Sequence, residues 1–222
     1  MNKYLQENTR EKNARYIIAM ASLLVLFSVV FAFMVYRLHI NELKNFDYSI
    51  IKFIQSRISE QLTSVMKIIT FFGGQLGLVL AVSISSIILF FFKKRYAVYI
   101  ILSSIAGLVL NLLLKGFFER ERPVFYRLIE ENGYSFPSGH SMSAMIFYIS
   151  LAVILAKISK SKMVDIIIGI LFAILIILIG ISRIYLGVHY PSDVLAGFAA
   201  GGFVVCICSI ALNYYEFRRR IS

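Results

Sequence analysis

Charged and polar residues that could do chemistry occur in three short groups, each at the end of a long apolar segment. The groups are Lys115 with Arg122-Pro123, then Pro137-Ser138-Gly139-His140, then Ser182-Arg183 with His189 and Asp193. Arginine forks match phosphate oxygens bidentately, and lysine adds a point charge. A helix that starts at Ser138-Gly139 would offer backbone N–H groups to the same anion. The groups therefore predict a site for a dense anion such as phosphate.

Two histidines in these groups could carry out the reaction itself. Asp193 lies four residues after His189, so its carboxylate could hold one ring nitrogen while the other acts as a nucleophile. His140 would be a second imidazole, able to give a proton to a leaving oxygen. The residues alone leave open which histidine attacks, although Arg183 and Asp193 beside His189 favour that residue. An anion site, an oriented imidazole and a separate acid are the components of phosphoryl transfer.

Each of these residues, taken alone, has a simpler interpretation. An arginine at the end of an apolar helix is more often an anchor whose charged head reaches water, and a lone interfacial histidine is more often a polar cap. His39 has no matching partner and is assigned no role. No metal site is expected, because His140, His189 and a few carboxylates lie among cations that would repel another cation. No cofactor is expected either.

The composition places the three groups in a membrane protein. Of 222 residues, 59% are hydrophobic and 16% are charged, whereas soluble domains are nearer half apolar and a quarter charged. Six segments are long and apolar enough to cross about 30 Å of hydrocarbon as helices. They are approximately residues 16–37, 75–92, 96–114, 140–156, 163–181 and 193–214. The predicted fold class is all-α, an integral membrane six-helix bundle that forms a single domain over residues 1–222.

The segment between the first two predicted spans is apolar but interrupted by charges. Its apolar residues recur at steps of three and four, which predicts an amphipathic helix ending at Gly73-Gly74. The residues are Ile51, Ile54, Ile58, Leu62, Val65 and Ile69. We expect this helical segment to lie in the outer membrane interface, with packing against the bundle as the alternative.

Basic residues concentrate at one set of span ends and predict the orientation of the chain. They are Lys3, Arg10, Lys12, Arg15, Lys93, Lys94, Arg95, Lys157, Lys160, Lys162, Arg218, Arg219 and Arg220. The positive-inside rule then puts both termini in the cytoplasm and the segments 38–74, 115–139 and 182–192 outside. This distribution also accounts for the net charge of +11. Nucleic acid is not an expected partner, because no basic helix stands outside the apolar segments.

The three groups resemble the three-part signature of the type 2 phosphatidic acid phosphatase superfamily. All the residues that the signature specifies are present, in order and at the family's spacing, between residues 115 and 193. The superfamily includes bacterial membrane lipid phosphatases and, more distantly, soluble acid phosphatases and vanadium haloperoxidases. The layout of six spans extends the resemblance over nearly the whole chain.

The resemblance implies a role for each matched residue and no metal or cofactor. His189 would attack phosphorus to form a phosphohistidine, and Asp193 would orient it and stabilise its positive form. His140 would protonate the leaving group and then activate water. The residues that would bind the phosphate are Lys115, Arg122, Ser138, Gly139 and Arg183.

The resemblance and the position of the groups predict a lipid phosphatase of the bacterial plasma membrane, acting at the extracytoplasmic face. Small bacterial members of the family act on undecaprenyl diphosphate or on phosphatidylglycerol phosphate, and the family does not select between these lipids. The alternatives are a phosphotransferase or sugar phosphatase of the same fold, and a lipid-flipping protein. No span interior carries the isolated charge or Pro/Gly break that marks a transport path. The sequence makes no prediction of the oligomeric state.

Overall fold

The structure, a computed structural model, describes residues 3–124 and 126–221, with side chains at 10–124 and 126–219. This part of the chain forms seven helices and no strand. The side chains of Lys3 and Arg220, which belong to the predicted cytoplasmic ends, lie outside the described residues. The helices are α1 (Lys3–His39), α2 (Lys44–Gln55), α3 (Glu60–Phe71), α4 (Gln75–Phe118), α5 (Gly139–Ile158), α6 (Lys162–Tyr185) and α7 (Pro191–Ile221).

Five of the described helices, α1 and α4 to α7, are long and apolar enough to cross a membrane. The prediction of an all-α, multi-pass membrane protein is therefore confirmed. The prediction of six separate spanning helices is not, because the second and third predicted spans both lie within α4.

Helix α4 is 44 residues long and reverses direction near its middle. Lys93 has φ −153° and ψ 97°, which is an extended conformation. A Cβ at Gly74, just before α4, would lie 3.3 Å from Nε2 of His140. Near the other end of α4, Oδ1 of Asn111 would lie 3.1 Å from a Cβ at Gly139. A straight helix would separate these two ends of α4 by about 55 Å, so its two arms must lie side by side.

The predicted amphipathic helix is two helices, α2 and α3, with a break between them. Ser59 is extended, with φ −148° and ψ 160°, and its side chain accepts a hydrogen bond from the backbone N–H of Leu62. This N-cap starts a new helix where the apolar pattern alone gave no interruption. Both helices pack against α6, and Ile51 and Met66 are buried. The location of this segment in the outer interface stays a prediction.

Helix α5 is the centre of the bundle and packs against α4, α6 and α7, while α1 packs along α7. Met142 and Ile146 of α5 form a buried cluster with residues of α7, namely Ala200, Val204 and Val205. Because lipid tails are as apolar as these side chains, close packing and polar contacts hold the helices together in a bilayer. The α5–α7 contact decides the site geometry, since both helices start there.

Two glycines allow the backbones of α5 and α7 to approach closely. A Cβ at Gly197 would lie 2.7 Å from the carbonyl oxygen of Ser138, and one at Gly201 would lie 2.7 Å from that of Met142. These glycines are four residues apart and thus on one face of α7, as in small-xxx-small contacts between membrane helices. The contact fixes the start of α5 against the start of α7.

We expect Gly197→Ala and Gly201→Ala each to destabilise the protein by about 1–3 kcal/mol, because the added methyl group must displace a backbone carbonyl. Thermal unfolding in detergent measures the effect. Gly169→Ala in α6 is the matched control, since a Cβ there meets nothing within 4 Å. Alanine should leave the midpoint of that variant unchanged or raise it. An equal loss in all three variants would contradict the close contact.

Candidate active site

The three groups predicted from the sequence meet at one end of the bundle. Lys115 lies in the last turn of α4 and Arg183 in the last turn of α6, while α5 and α7 begin beside them. The backbone N–H of Ser138 donates to the carbonyl oxygen of Asp193 at 3.0 Å, which joins the second group to the third. The site contains all the predicted residues: Lys115, Arg122, Ser138, Gly139, His140, Arg183, His189 and Asp193.

His189 and Asp193 form a fully buried pair. Nδ1 of His189 lies 3.4 Å from Oδ2 of Asp193. The same oxygen accepts hydrogen bonds from the backbone N–H of Tyr190, at 2.8 Å, and from the hydroxyl of Ser135. A carboxylate beside Nδ1 keeps the ring proton on that nitrogen, so the lone pair of the ring is on Nε2. Nε2 accepts a hydrogen bond from Nη1 of Arg122 at 3.2 Å and thus faces the cations of the site.

The His189 ring is held in its neutral form. Burial lowers the pKa of His189 to about 3, the bond to Asp193 opposes this shift, and the charges of Arg183 and Arg122 add to it. The ring is therefore uncharged at pH 7. A neutral imidazole is the form that can attack an electrophile.

Backbone carbonyl groups hold the guanidinium of Arg122. Its Nε donates to Gly133 O at 2.9 Å, Nη1 to Val188 O at 2.9 Å and Nη2 to Asn132 O at 3.1 Å. Arg122 lies outside any helix, so these bonds fix its position relative to His189. They also tie the segment after α4 to the segment before α7.

Arg183 is almost fully buried at the end of α6. Its Nη1 donates to the hydroxyl of Thr70 in α3 at 2.7 Å. Its Nε has no hydrogen-bond partner among the described residues. A buried guanidinium N–H without a partner is rare and costly in proteins. This geometry indicates a place for an external acceptor beside Arg183.

A carboxylate that the sequence did not point to occupies the space among the cations. Glu131 forms an ion pair with Nη2 of Arg183 and lies 3.8 Å from both Nη2 of Arg122 and Nδ1 of His140. Its two oxygens thus face three of the residues predicted to contact a phosphate or its leaving group. The carboxylate of Glu131 therefore lies among the side chains that are predicted to bind phosphate.

The start of α5 offers the Ser138 hydroxyl and backbone N–H groups to the site. Ser138 is the N-cap of α5, and its Oγ accepts from the backbone N–H of Ser141 at 3.4 Å and from the Ser141 hydroxyl at 3.0 Å. Both of these bonds use Ser138 Oγ as the acceptor, so its own hydroxyl hydrogen is still available to donate to an anion. The first N–H groups of a helix lack partners within the helix, which leaves the backbone at Gly139 and His140 to meet an anion.

A second buried ion pair reaches Asp193 from residues that the sequence did not single out. Nη1 of Arg120 lies 2.6 Å from Oδ1 of Asp193, and Nη2 lies 2.8 Å from Oδ2 of Asp47 in α2. One signal could have found Asp47, because it lies four residues before Ile51 and so on the apolar face of its helix. A carboxylate on that face requires a buried partner. Neither Thr70 nor Glu131 had a comparable signal.

The chain has relatives among known proteins. Residues 95–217 match the model of the PAP2 superfamily. The chain is 38% identical over 170 residues to phosphatidylglycerophosphatase B of Bacillus subtilis (strain 168), which covers 74% of this chain and 82% of that protein. It is 32% identical over 130 residues to the undecaprenyl-diphosphatase BcrC of the same strain, which covers 56% of this chain and 59% of that protein.

A solved structure shares the fold. The crystal structure of a transmembrane PAP2-type phosphatidylglycerolphosphate phosphatase from Bacillus subtilis has a TM-score of 0.78 and 31% sequence identity. The alignment covers 91% of this chain and 97% of that chain. The resemblance drawn from three short groups of residues thus extends to the arrangement of the helices. This chain belongs to the PAP2 superfamily.

Proposed function

We propose that this protein is a membrane phosphatase that removes the terminal phosphate from a lipid phosphate or diphosphate. One observation carries the proposal: the lone pair on Nε2 of His189 faces Arg122, while Asp193 holds the opposite ring nitrogen. A buried, neutral and oriented imidazole among cations is suited to attack on a phosphoryl group.

Phosphatidylglycerol phosphate is the first candidate substrate, because a relative that bears this activity in its name aligns over most of both chains. Undecaprenyl diphosphate is the second, because the relative named for it aligns over a shorter part. Both lipids present a terminal phosphate on a membrane anchor. A head group could enter the basic site at the end of the bundle while its tails stay in the bilayer.

In the first step, Nε2 of His189 forms a bond to phosphorus as the bond from phosphorus to the leaving oxygen breaks. The leaving oxygen takes a proton from His140, which enters this step as the imidazolium and leaves it as the neutral ring, and departs as an alcohol or a lipid monophosphate. Asp193 stabilises the positive charge that develops on the His189 ring. In the second step, water attacks phosphorus and gives a proton to His140. The nitrogen–phosphorus bond breaks, and inorganic phosphate and neutral His189 are released.

The cations of the site would stabilise the charge on the phosphoryl oxygens during both steps. Arg122 and Arg183 would each bind phosphate oxygens, and the partnerless Nε of Arg183 supports this role. Lys115, the Ser138 hydroxyl and the backbone N–H groups at Gly139 and the start of α5 would complete the set. That no metal takes part stays a prediction.

We also propose that residues 1–222 form one domain with six membrane crossings, both termini cytoplasmic and the active site outside. The reversal of α4 at Lys93 supports six crossings, because each arm is long enough to span. About 33 Å of helix separates Asp193 from Tyr215 in α7, which matches the hydrocarbon thickness. The basic ends of the bundle thus lie opposite the site, as the positive-inside rule requires.

Phosphate release by purified protein tests the function. We expect the protein to hydrolyse phosphatidylglycerol phosphate or undecaprenyl diphosphate and to remain active in a strong chelator. His189→Ala should abolish release, and Asp193→Asn should lower the rate by about two to four powers of ten, because the ring loses its orientation. Vanadate, which mimics five-coordinate phosphorus, should inhibit the parent protein.

Three outcomes would contradict this proposal. Loss of activity in chelator that a divalent metal restores would exclude the histidine route. Transfer of the phosphoryl group to an acceptor without free phosphate would identify a phosphotransferase. Lipid movement by His189→Ala at the parent rate, with no phosphate released by either protein, would favour a flipping function.

The carboxylate of Glu131 should compete with phosphate for the cations. We expect Glu131→Gln to lower the inhibition constants of vanadate and inorganic phosphate by about 2- to 10-fold, because the weak ion pairs that a ligand must displace are lost. Glu130→Gln is the matched control, since it removes an exposed carboxylate from the neighbouring position. Equal constants for Glu131→Gln and the parent would show that Glu131 does not oppose the ligand.

Labelling of single cysteines tests the orientation. In a variant with Cys206 and Cys208 replaced, Glu130→Cys should react with an impermeant maleimide on intact cells. Lys160→Cys, between α5 and α6, should react only after the cells are permeabilised. The reverse pattern would put the site on the cytoplasmic side.

A further inference from the structure

A row of alternating charges leads from Asp193 to α2. Asp193 uses Oδ2 toward His189 and Oδ1 toward Nη1 of Arg120, at 2.6 Å. Nη2 of Arg120 then donates to Oδ2 of Asp47 at 2.8 Å. The carboxylates of Asp193 and Asp47 are almost completely buried, and Arg120 is 15% exposed. A single guanidinium therefore pairs with two buried anions.

Ser192 closes this row into a ring of hydrogen bonds. Its backbone N–H donates to Oδ1 of Asp47 at 2.9 Å, and its hydroxyl donates to Oδ2 of Asp47 at 2.7 Å. The same hydroxyl accepts from Nη1 of Arg120 at 2.8 Å. The backbone N–H of Ser192 is one of the first in α7 and has no partner within that helix. Asp47 of α2 thus serves as a cap for the helix that carries Asp193.

The charge of Asp47 changes what Arg120 does to the candidate catalytic pair. If Arg120 had one carboxylate partner, its whole charge would act on Asp193 and weaken the negative potential at His189. Asp47, on the far side of the guanidinium, offsets part of the positive charge of Arg120, so that charge weakens the potential at His189 less. The ring of Tyr190, whose centre is 4.0 Å from the Arg120 guanidinium carbon, restricts the guanidinium further.

We propose that Asp47 is a positioning residue for the reaction: acting through Arg120 and Ser192, it holds Asp193 in place behind His189 and preserves the charge that Asp193 presents there. The proposal rests on the phosphatase function proposed above. It adds α2 to the active site, although α2 lies outside residues 95–217, which match the superfamily. Asp47 does not contact the substrate in this scheme.

Asp47→Asn is the test, because the amide can still accept from the Ser192 backbone but loses the charge that faces Arg120. We expect kcat for lipid phosphate hydrolysis to fall by about 10- to 100-fold, by analogy with the loss of outer hydrogen-bond partners behind metal-binding histidines. KM and the vanadate inhibition constant should stay within about 3-fold, because Arg122 and Arg183 remain. Activity is expressed per monodisperse protein after size-exclusion chromatography.

Glu60→Gln is the matched control, since it removes an exposed carboxylate from the first turn of α3. It should leave kcat and KM unchanged. If the parent protein releases no phosphate, the proposed function fails. If the parent is active and Asp47→Asn keeps its kcat within 2-fold while its unfolding midpoint falls, Asp47 only anchors α2 and this inference is overturned.

Ser192→Ala provides a second variant if Asp47→Asn does not fold. It removes the hydroxyl that joins Asp47 to Arg120 but leaves the backbone N–H in place. We expect kcat to fall by about 2- to 10-fold, as for a single lost hydrogen bond, with KM unchanged. An unchanged kcat in Ser192→Ala, or a loss confined to KM, would contradict the positioning role.

Discussion

A buried carboxylate must have its charge fully paired, and Asp193 imposes that requirement on the whole site. Its oxygens are closed off from water and face the Ser135 hydroxyl, the Tyr190 backbone N–H, Arg120 and His189. An uncompensated charge at this depth would cost more than a typical domain can tolerate. Since the donors come from the segment after α4 and the segment before α7, these segments must close together for the fold to form.

The approach of α5 and α7 provides the rigid part of this arrangement. Gly197 and Gly201 let the two backbones touch, so the starts of both helices lie side by side. The bond from the Ser138 N–H to the Asp193 carbonyl joins them directly. The positive ends of two helix dipoles thus point toward one site, where they reinforce the arginines. The apolar packing of the bundle and the chemistry of the site therefore depend on the same contact.

The sequence predicted those parts of the site whose residues lie close together along the chain. The interval from His189 to Asp193 is one helical turn, and hydropathy placed the three groups at span ends. The sequence did not identify long-range contacts. The apolar face of α2 could mark Asp47 as buried but not name Arg120 as its partner, and Thr70 and Glu131 meet the site only through the packing of α3 and the path of the segment before α5. Hydropathy also does not show whether a helix is continuous. The sequence therefore predicted two spans joined by a loop where the structure has one helix, α4, that reverses direction at Lys93.

The position of Glu131 has a consequence for which anions the site admits. A carboxylate that belongs to the same chain as its cations acts at an effective concentration far above that of most free ions. Chloride or a free carboxylate offers no more charge than Glu131 and gains little by replacing it. A doubly charged phosphoryl group offers more charge and a third oxygen, so it can displace the Glu131 carboxylate from the cations. On the proposed function, Glu131 would therefore make the ligand-free site select anions by their charge before any lipid tail is bound.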